Sequence, residues 1–532
     1  MSALSRRGFL AGTAIGGASL VAGTSVAAAA EEAARTCGAF GPVTIPAGDP
    51  RYQSIQRAHN TRYVGSPDYA KVVGTPQQVV TAVGDAVAAG KRLAVRSGGH
   101  CMENFTANAD VKALIDLSQL DEVYWDESKR AFAVEPGATI GRTAETLFKG
   151  WGVLLPGTGC AQVGVGGHIP GGGYGFYSRR YGLTVDHLYA VEVVTVDASG
   201  TPRLITATRE ASDPNRDLWW AFTGGGGGNF GIATKYWFRT PGVTSTDPRR
   251  ALPSTGNQRA RMVMYSWQGM SEQQFIKLLR NYFNWFEANS APGNPNTKVW
   301  GTLFANHVAA GTIGVLAGVE DTVPNGQAML DAHFNAVMAD VGATPVADFG
   351  EVTSWLDPRN WVSDPSGRQK NKTADLRKGY TDAQISTIYR YLNDSNYSNP
   401  NALVNITGFG GQINAVPSDA TAAVHRDSIL RVYFTAGGWT GEWEDETHMT
   451  WVRNLYRDVY ATTGGVPVPN AINGGAFINY ADSDTLDPAW NTSGVPWHAL
   501  YYRDNYPRLQ RIKKRYDPRN VFKHAMSIVP AT

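Results

Sequence analysis

The strongest constraint on this chain is a set of three glycine-rich loops. They read Arg96-Ser97-Gly98-Gly99-His100; then Gly157-Thr158-Gly159-Cys160 running on to Gly164-Val165-Gly166-Gly167-His168-Ile169-Pro170-Gly171-Gly172-Gly173-Tyr174-Gly175; and Gly224 to Gly228 ahead of Asn229-Phe230-Gly231-Ile232. Backbone without Cβ atoms can come close to a ligand, and successive N–H groups form concavities that hold anions. Three such loops, each expected to follow a strand, point to the pyrophosphate of a dinucleotide. None has the G-x-G-x-x-G spacing with an acidic residue about 20 positions on, so a Rossmann fold is not expected.

Hydrophobic periodicity predicts an α+β chain. Gln77 to Ala89 reads as a helix, Arg92 to Arg96 and Ala131 to Val134 as strands, the stretch from Ile140 as a helix and Ala190 to Val196 as a strand. Past Pro241-Gly242 the texture changes. Arg261 to Trp267 and Val299 to Phe304 read as strands, Glu272 to Glu287 and Ala328 to Val341 as helices, and aromatic residues become dense. At 532 residues the chain exceeds what one core supports, and two domains are expected.

Charged residues make up 18% of the chain and the net charge is +2, which gives no field to recruit nucleic acid or an anionic membrane. A small-molecule partner is expected instead. Ser5-Arg6-Arg7-Gly8-Phe9-Leu10, followed by a small-residue apolar run and an alanine stretch ending at Ala30, reads as a twin-arginine export signal over residues 1–30. Cys37, Cys101 and Cys160 make an odd count for a chain bound for an oxidising compartment, so at least one is unpaired or otherwise engaged. If that one is Cys160, Cys37 and Cys101 are left able to pair.

The loops and the C-terminal motifs resemble the vanillyl-alcohol oxidase superfamily in its berberine-bridge-enzyme-like branch. The stretch from Asp68 to Thr240 is similar to the FAD-binding domain of that branch, and the similarity continues in Ile478-Asn479-Tyr480-Ala481-Asp482 and Tyr516-Asp517-Pro518-Arg519-Asn520-Val521-Phe522. The resemblance implies an α+β architecture: a PCMH-type FAD-binding domain over 45–242 and 471–532, and a substrate domain over 243–470 with an antiparallel sheet covered by helices. It implies FAD attached twice, by its 8α carbon to His100 and by C6 to Cys160. Such a double link raises the flavin's reduction potential and suits alcohols that resist oxidation. The cofactor contacts it implies are Arg96, Ser97, Gly98 and Gly99 around His100; Gly157, Thr158 and Gly159 before Cys160; Val163, Gly164, Gly167, His168, Gly171 and Gly172; Gly231 and Ile232; and Asn520. No metal site is expected.

The same resemblance makes Tyr480 the base that takes the substrate's hydroxyl proton, with Tyr174 beside it. Val163, at the position that gates oxygen, is the permissive type and favours an oxidase with molecular oxygen as acceptor. Two departures stand out. Thr407-Gly408-Phe409-Gly410-Gly411-Gln412 replaces a Tyr-Gly-Gly segment and supplies no second base, and Met526 stands where a glutamine usually precedes the final Ser-Ile. Trp300, Trp355, Trp361, Trp439 and Trp443 are candidates for stacking on a sugar ring, with more than half of them expected in the core. The expected reaction is oxidation of a carbohydrate hydroxyl, that of a glycosylated natural product, including a primary alcohol taken to the acid, with hydrogen peroxide released. Lactone formation on a free oligosaccharide, oxidative cyclisation of an alkaloid or polyketide, and a flavin-bearing carbohydrate-binding protein are the alternatives.

Overall fold

Three sheets carry the structure. The computed structural model describes residues 40–157, 159–357, 361 and 367–532; the export signal expected over 1–30, Cys37 and Thr158 lie outside the described residues. The first sheet joins β1 (Val43–Pro46), β2 (Tyr69–Val72), β3 (Leu93–Arg96) and β4 (Ala113–Asp116) in the order β1-β2-β4-β3. β2, β4 and β3 run parallel. The central β4 is buried at every position, as a parallel strand covered on both faces should be. Helix Pro76–Ala88 packs here; Thr75 caps it by accepting from the Gln78 amide, Pro76 opens it, and Val79, Ala82, Val83 and Ala86 form its buried stripe.

The second sheet is antiparallel: β5 (Val123–Asp126), β6 (Ala131–Val134), β7 (Leu188–Val196), β8 (Pro202–Thr208) and β9 (Ile232–Phe238) lie in the order β5-β6-β9-β7-β8. The third, also antiparallel, has eight strands: β10 (Asn257–Ser266), β11 (Trp300–Asn306), β12 (Thr312–Glu320), β13 (Pro345–Ser354), β14 (Arg368–Leu376), β15 (Leu403–Gly408), β16 (Leu430–Trp439) and β17 (Asn473–Gly475), ordered β13-β10-β12-β11-β15-β16-β14-β17.

The third sheet's two faces differ sharply. Leu303, Val404, Ile406, Val432 and Phe434 are fully buried on one face. Helices Glu272–Asn289 and Asp445–Val459 cover it, Tyr282 donating to the Ile406 carbonyl and Tyr456 to that of Thr373. On the opposite face the register lines up Thr302 with Thr407 and Arg431, and Phe304 with Asn405 and Tyr433. One hydrophobic cluster runs from Phe132 and Val191 through Phe283 and Val432 to Ile528.

One expectation about the loops needs correcting. Only the first follows a strand, β3; the run Gly224–Gly228 follows helix Arg216–Ala221 and leads into β9, and the second loop follows irregular chain after Trp151. Close approach of backbones, rather than a repeated strand–turn–helix unit, places the glycines.

Candidate active site

The first two glycine loops cross in direct backbone contact. A Cβ on Gly98 would stand 2.4 Å from the Gly164 nitrogen, and one on Gly164 only 2.2 Å from the nitrogen of Gly98, so neither position admits a side chain. The crossing forms one wall of a cavity of about 400 Å³, which is also lined by Gly226–Gly228 of the third loop and by the polar face of the third sheet. Within this wall the Cys160 sulfur lies 4.0 Å from His100 Nε2. Burial, aided by the neighbouring His59 ring, lowers the His100 pKa to about 4, so its imidazole is neutral and nucleophilic at neutral pH.

Three features fit an FAD. At Gly167 and Gly227, both in the cavity wall, nothing lies within 4 Å of where a Cβ would stand, so ligand atoms can meet the backbone there. His168 Nε2, in the same wall, is buried without a hydrogen-bond partner, and burial lowers that ring's pKa to about 4. His100 and Cys160 supply two nucleophiles 4.0 Å apart on one wall of the cavity.

Tyr480 enters the cavity through β17, which pairs with β14 at the sheet edge and brings Phe477 to Tyr480 into the wall. The Tyr480 ring lies 4.9 Å from that of Tyr433 and 5.8 Å from that of Phe477. The sheet contributes Thr302, Asn405, Thr407, Tyr433 and Thr435. Several of these are joined: Asn405 donates to Thr302 Oγ1 at 2.8 Å, Thr407 to Asn405 Oδ1 at 2.9 Å, and Thr435 to Asn371 Oδ1 at 2.6 Å. Tyr174 stands edge-on to Phe477 and Phe409 at 5.4 and 6.1 Å. Beneath these three rings lies the Arg431 guanidinium, 3.6 Å from the centre of Phe477, 4.4 Å from Tyr174 and 4.5 Å from Phe409, and paired with both oxygens of the fully buried Asp375.

A buried ionic network fastens the Tyr480 segment to the chain just beyond His100. Lys370 pairs with Glu103 at 2.6 Å and with Asp482 at 2.7 Å; Lys372 pairs with Asp482 and Asp484, and Arg453 with Asp484, each at 2.7 Å. Three cations thus face three anions. Although burial opposes the charge, Asp482, Glu103 and Asp484 hold the Lys370 ammonium well above the usual lysine range.

Of the residues expected from sequence, Arg96, Ser97, Gly98, Gly99, His100, Gly159, Cys160, Val163, Gly164, Gly167, His168, Tyr174, Gly231, Ile232 and Tyr480 all line this one cavity. Four do not. Gly157 faces Ile140 and the His168 ring; Gly171 lies against the Asn479 amide, where a Cβ would stand 1.9 Å from Oδ1; Gly172 packs on Ala423. Asn520 sits in a left-handed turn (φ 52°) whose hub is Asp517, paired with Lys513 at 2.6 Å and accepting the Val521 and Phe522 amides. Asn520 therefore serves the turn, while Phe522 of the same motif lines the cavity and Met526 is fully buried. The tryptophans also fall elsewhere: Trp300, Trp355 and Trp439 are buried, Trp361 packs on Trp355, Trp443 is 85% exposed, and none lines the cavity. Sequence reading missed the polar sheet face, Phe105 stacked on His524 at 4.1 Å, and Arg431. The alternation Asn405-x-Thr407 and Tyr433-x-Thr435 was the available signal for the first. Among the described residues no helix is long and apolar enough to cross a membrane.

Two family models match: a FAD binding domain over residues 67–203, and a berberine and berberine-like segment over residues 476–529. The chain is 46% identical to aclacinomycin-N/aclacinomycin-A oxidase of Streptomyces galilaeus over 544 aligned positions, covering 100% of this chain and 99% of that protein. It is 31% identical to hexose oxidase of Chondrus crispus, over 90% of this chain and 93% of that one. Among solved structures, glycopeptide hexose oxidase DBV29 complexed with teicoplanin superposes with a TM-score of 0.88 at 46% identity, over 93% of this chain and 100% of the other.

Proposed function

The chain belongs to the berberine-bridge-enzyme-like family of FAD-linked oxidoreductases, and on that premise we propose that it oxidises a hydroxyl on the sugar of a glycosylated natural product. The carrying observation is the sharing of one cavity by His100, Cys160, Tyr480 and a sheet face of hydroxyl and amide groups. Thr302, Asn405, Thr407, Tyr433 and Thr435 present hydroxyl and amide groups to the cavity, the chemistry that meets sugar hydroxyls. Phe176, Phe304 and Phe477 give the sugar's C–H faces apolar surface. The relative named as a hexose oxidase and the solved glycopeptide hexose oxidase support the same reading.

In this reading Tyr480 accepts the hydroxyl proton while the sheet face holds the sugar in register. A free tyrosine titrates near pH 10, so proton transfer is concerted with loss of hydride from carbon. FAD, when bound, accepts the two electrons and passes them to dioxygen. His100 and Cys160 hold it by two covalent bonds, and Val163 leaves room for oxygen. The Arg-Arg leader exports the folded, loaded protein.

Incubation of the purified yellow protein with a panel of glycosylated natural products and free oligosaccharides tests the proposal. The expected result is peroxide in proportion to one glycoside consumed, with mass spectrometry showing the sugar two hydrogens lighter or converted to an acid. Turnover confined to free oligosaccharides, or ring closure on an aglycone, would overturn it. Flavin that stays with the denatured protein, and with His100→Ala and Cys160→Ala singly, is the expected sign of double attachment.

A further inference from the structure

His59 and Asn60 grip the loop that carries His100 from both sides. The His59 amide donates to the Gly99 carbonyl at 2.8 Å, immediately before His100. The Asn60 side-chain amide donates to the Met102 carbonyl at 2.8 Å, immediately after Cys101. Asn60 is itself fully buried and anchored to β14, donating to the Gln369 carbonyl at 3.0 Å and accepting the Gln369 amide at 3.2 Å. Between these two fixed points the His59 ring lies flat on the His100 ring, with centroids 4.2 Å apart and planes within 14°. The far edge of His100 is held by its Nδ1, 3.3 Å from the Gly98 carbonyl.

We infer that His59 is a positioning residue for covalent attachment of the flavin: it fixes the plane of the His100 imidazole so that one nitrogen lone pair points at the cofactor. The inference rests on the reading of His100 as an attachment residue. The step to be assisted breaks an imidazole N–H and one C–H of the 8α methyl group and forms an N–C bond. The two electrons and two protons released leave by way of the isoalloxazine and reduce dioxygen to hydrogen peroxide. Its rate depends on the nucleophile's orientation, because an imidazole free to rotate about its side-chain bonds spends little time aligned. A flat ring stacked on one face removes that freedom while leaving the ring edge open to the cavity. Electrostatic repulsion from His59 also disfavours a positive charge on His100, in the same direction as its burial.

Tryptic mass spectrometry of the purified, aerobically expressed protein measures the fraction of His100 peptide that carries flavin. His59→Phe keeps a flat ring and is expected to match wild type. His59→Leu keeps apolar bulk without the stack and is expected to slow attachment by about tenfold or more. Unmodified His100 peptide should then accumulate in protein that still holds FAD through Cys160 and keeps its melting temperature. Equal flavinylation of His59→Leu and wild type would overturn the inference, as would failure of His59→Phe in protein that folds and binds FAD. Wild-type protein with no flavin on His100 would instead overturn the reading on which it rests.

Discussion

Tyr480 is in the cavity wall because a three-residue strand, β17, closes the edge of the third sheet and turns the following residues inward. Replacing it with phenylalanine removes one oxygen and leaves the ring contacts with Tyr433 and Phe477. kcat is expected to fall by about 10²–10⁴ with unchanged flavin content. Anaerobic rapid mixing with substrate reads the loss directly, and a variant that reduces its flavin at the wild-type rate would place the base elsewhere. Arg431 makes a different demand. Its partner Asp375 is fully buried, so Arg431→Met leaves a carboxylate without its cation and is expected to cost about 3–5 kcal/mol in urea denaturation. Arg431→Lys should recover little, since an ammonium cannot bridge both carboxylate oxygens and lie flat under three rings. Tyr480 could be read from a short motif in the chain. Arg431 could not, because its meaning comes from Asp375, Tyr174 and Phe477, none of them near it in sequence.

Among elements, the glycine loops separate two uses of one residue type. Gly164→Ala would drive a Cβ into the Gly98 backbone and is expected to yield little soluble protein, whereas Gly167→Ala meets nothing of the protein. The second variant should fold with normal melting behaviour and carry less flavin per chain, measured by absorbance after purification; full flavin content would show that the cofactor leaves that surface open. The five strands and four helices read from periodicity match the fold within a few residues at their ends, while most of the other strands were not read at all. The role of the third sheet's polar face was not legible either. Asn405-x-Thr407 and Tyr433-x-Thr435 alternate as any half-solvated strand would, and only the pairing of β11, β15 and β16 shows that their polar side faces an interior cavity. The tryptophans went mainly where large aromatic residues usually go: Trp300, Trp355 and Trp439 are in the core.

Across the whole molecule, buried histidines set the response to acid. Burial holds His168 and His425 at a pKa of about 4 in the fold against an ordinary 6.5. The folded form therefore refuses protons that the unfolded chain takes up below pH 6.5. The stability these rings contribute is complete above that value and is lost progressively down to about pH 4, on the order of 3 kcal/mol per ring. His168→Gln, uncharged in both states, is expected to flatten the acid limb of a urea-midpoint against pH curve; a wild-type slope in that variant would exclude His168 as the source. The ionic network has a consequence of timing. Glu103 belongs to the early part of the chain, while Asp482 and Asp484 belong to its last tenth, and the wall that carries Tyr480 cannot close until both are made. A nascent chain already displays His100 and Cys160 but has no finished chamber around them, so capture of the yellow cofactor marks the completion of synthesis.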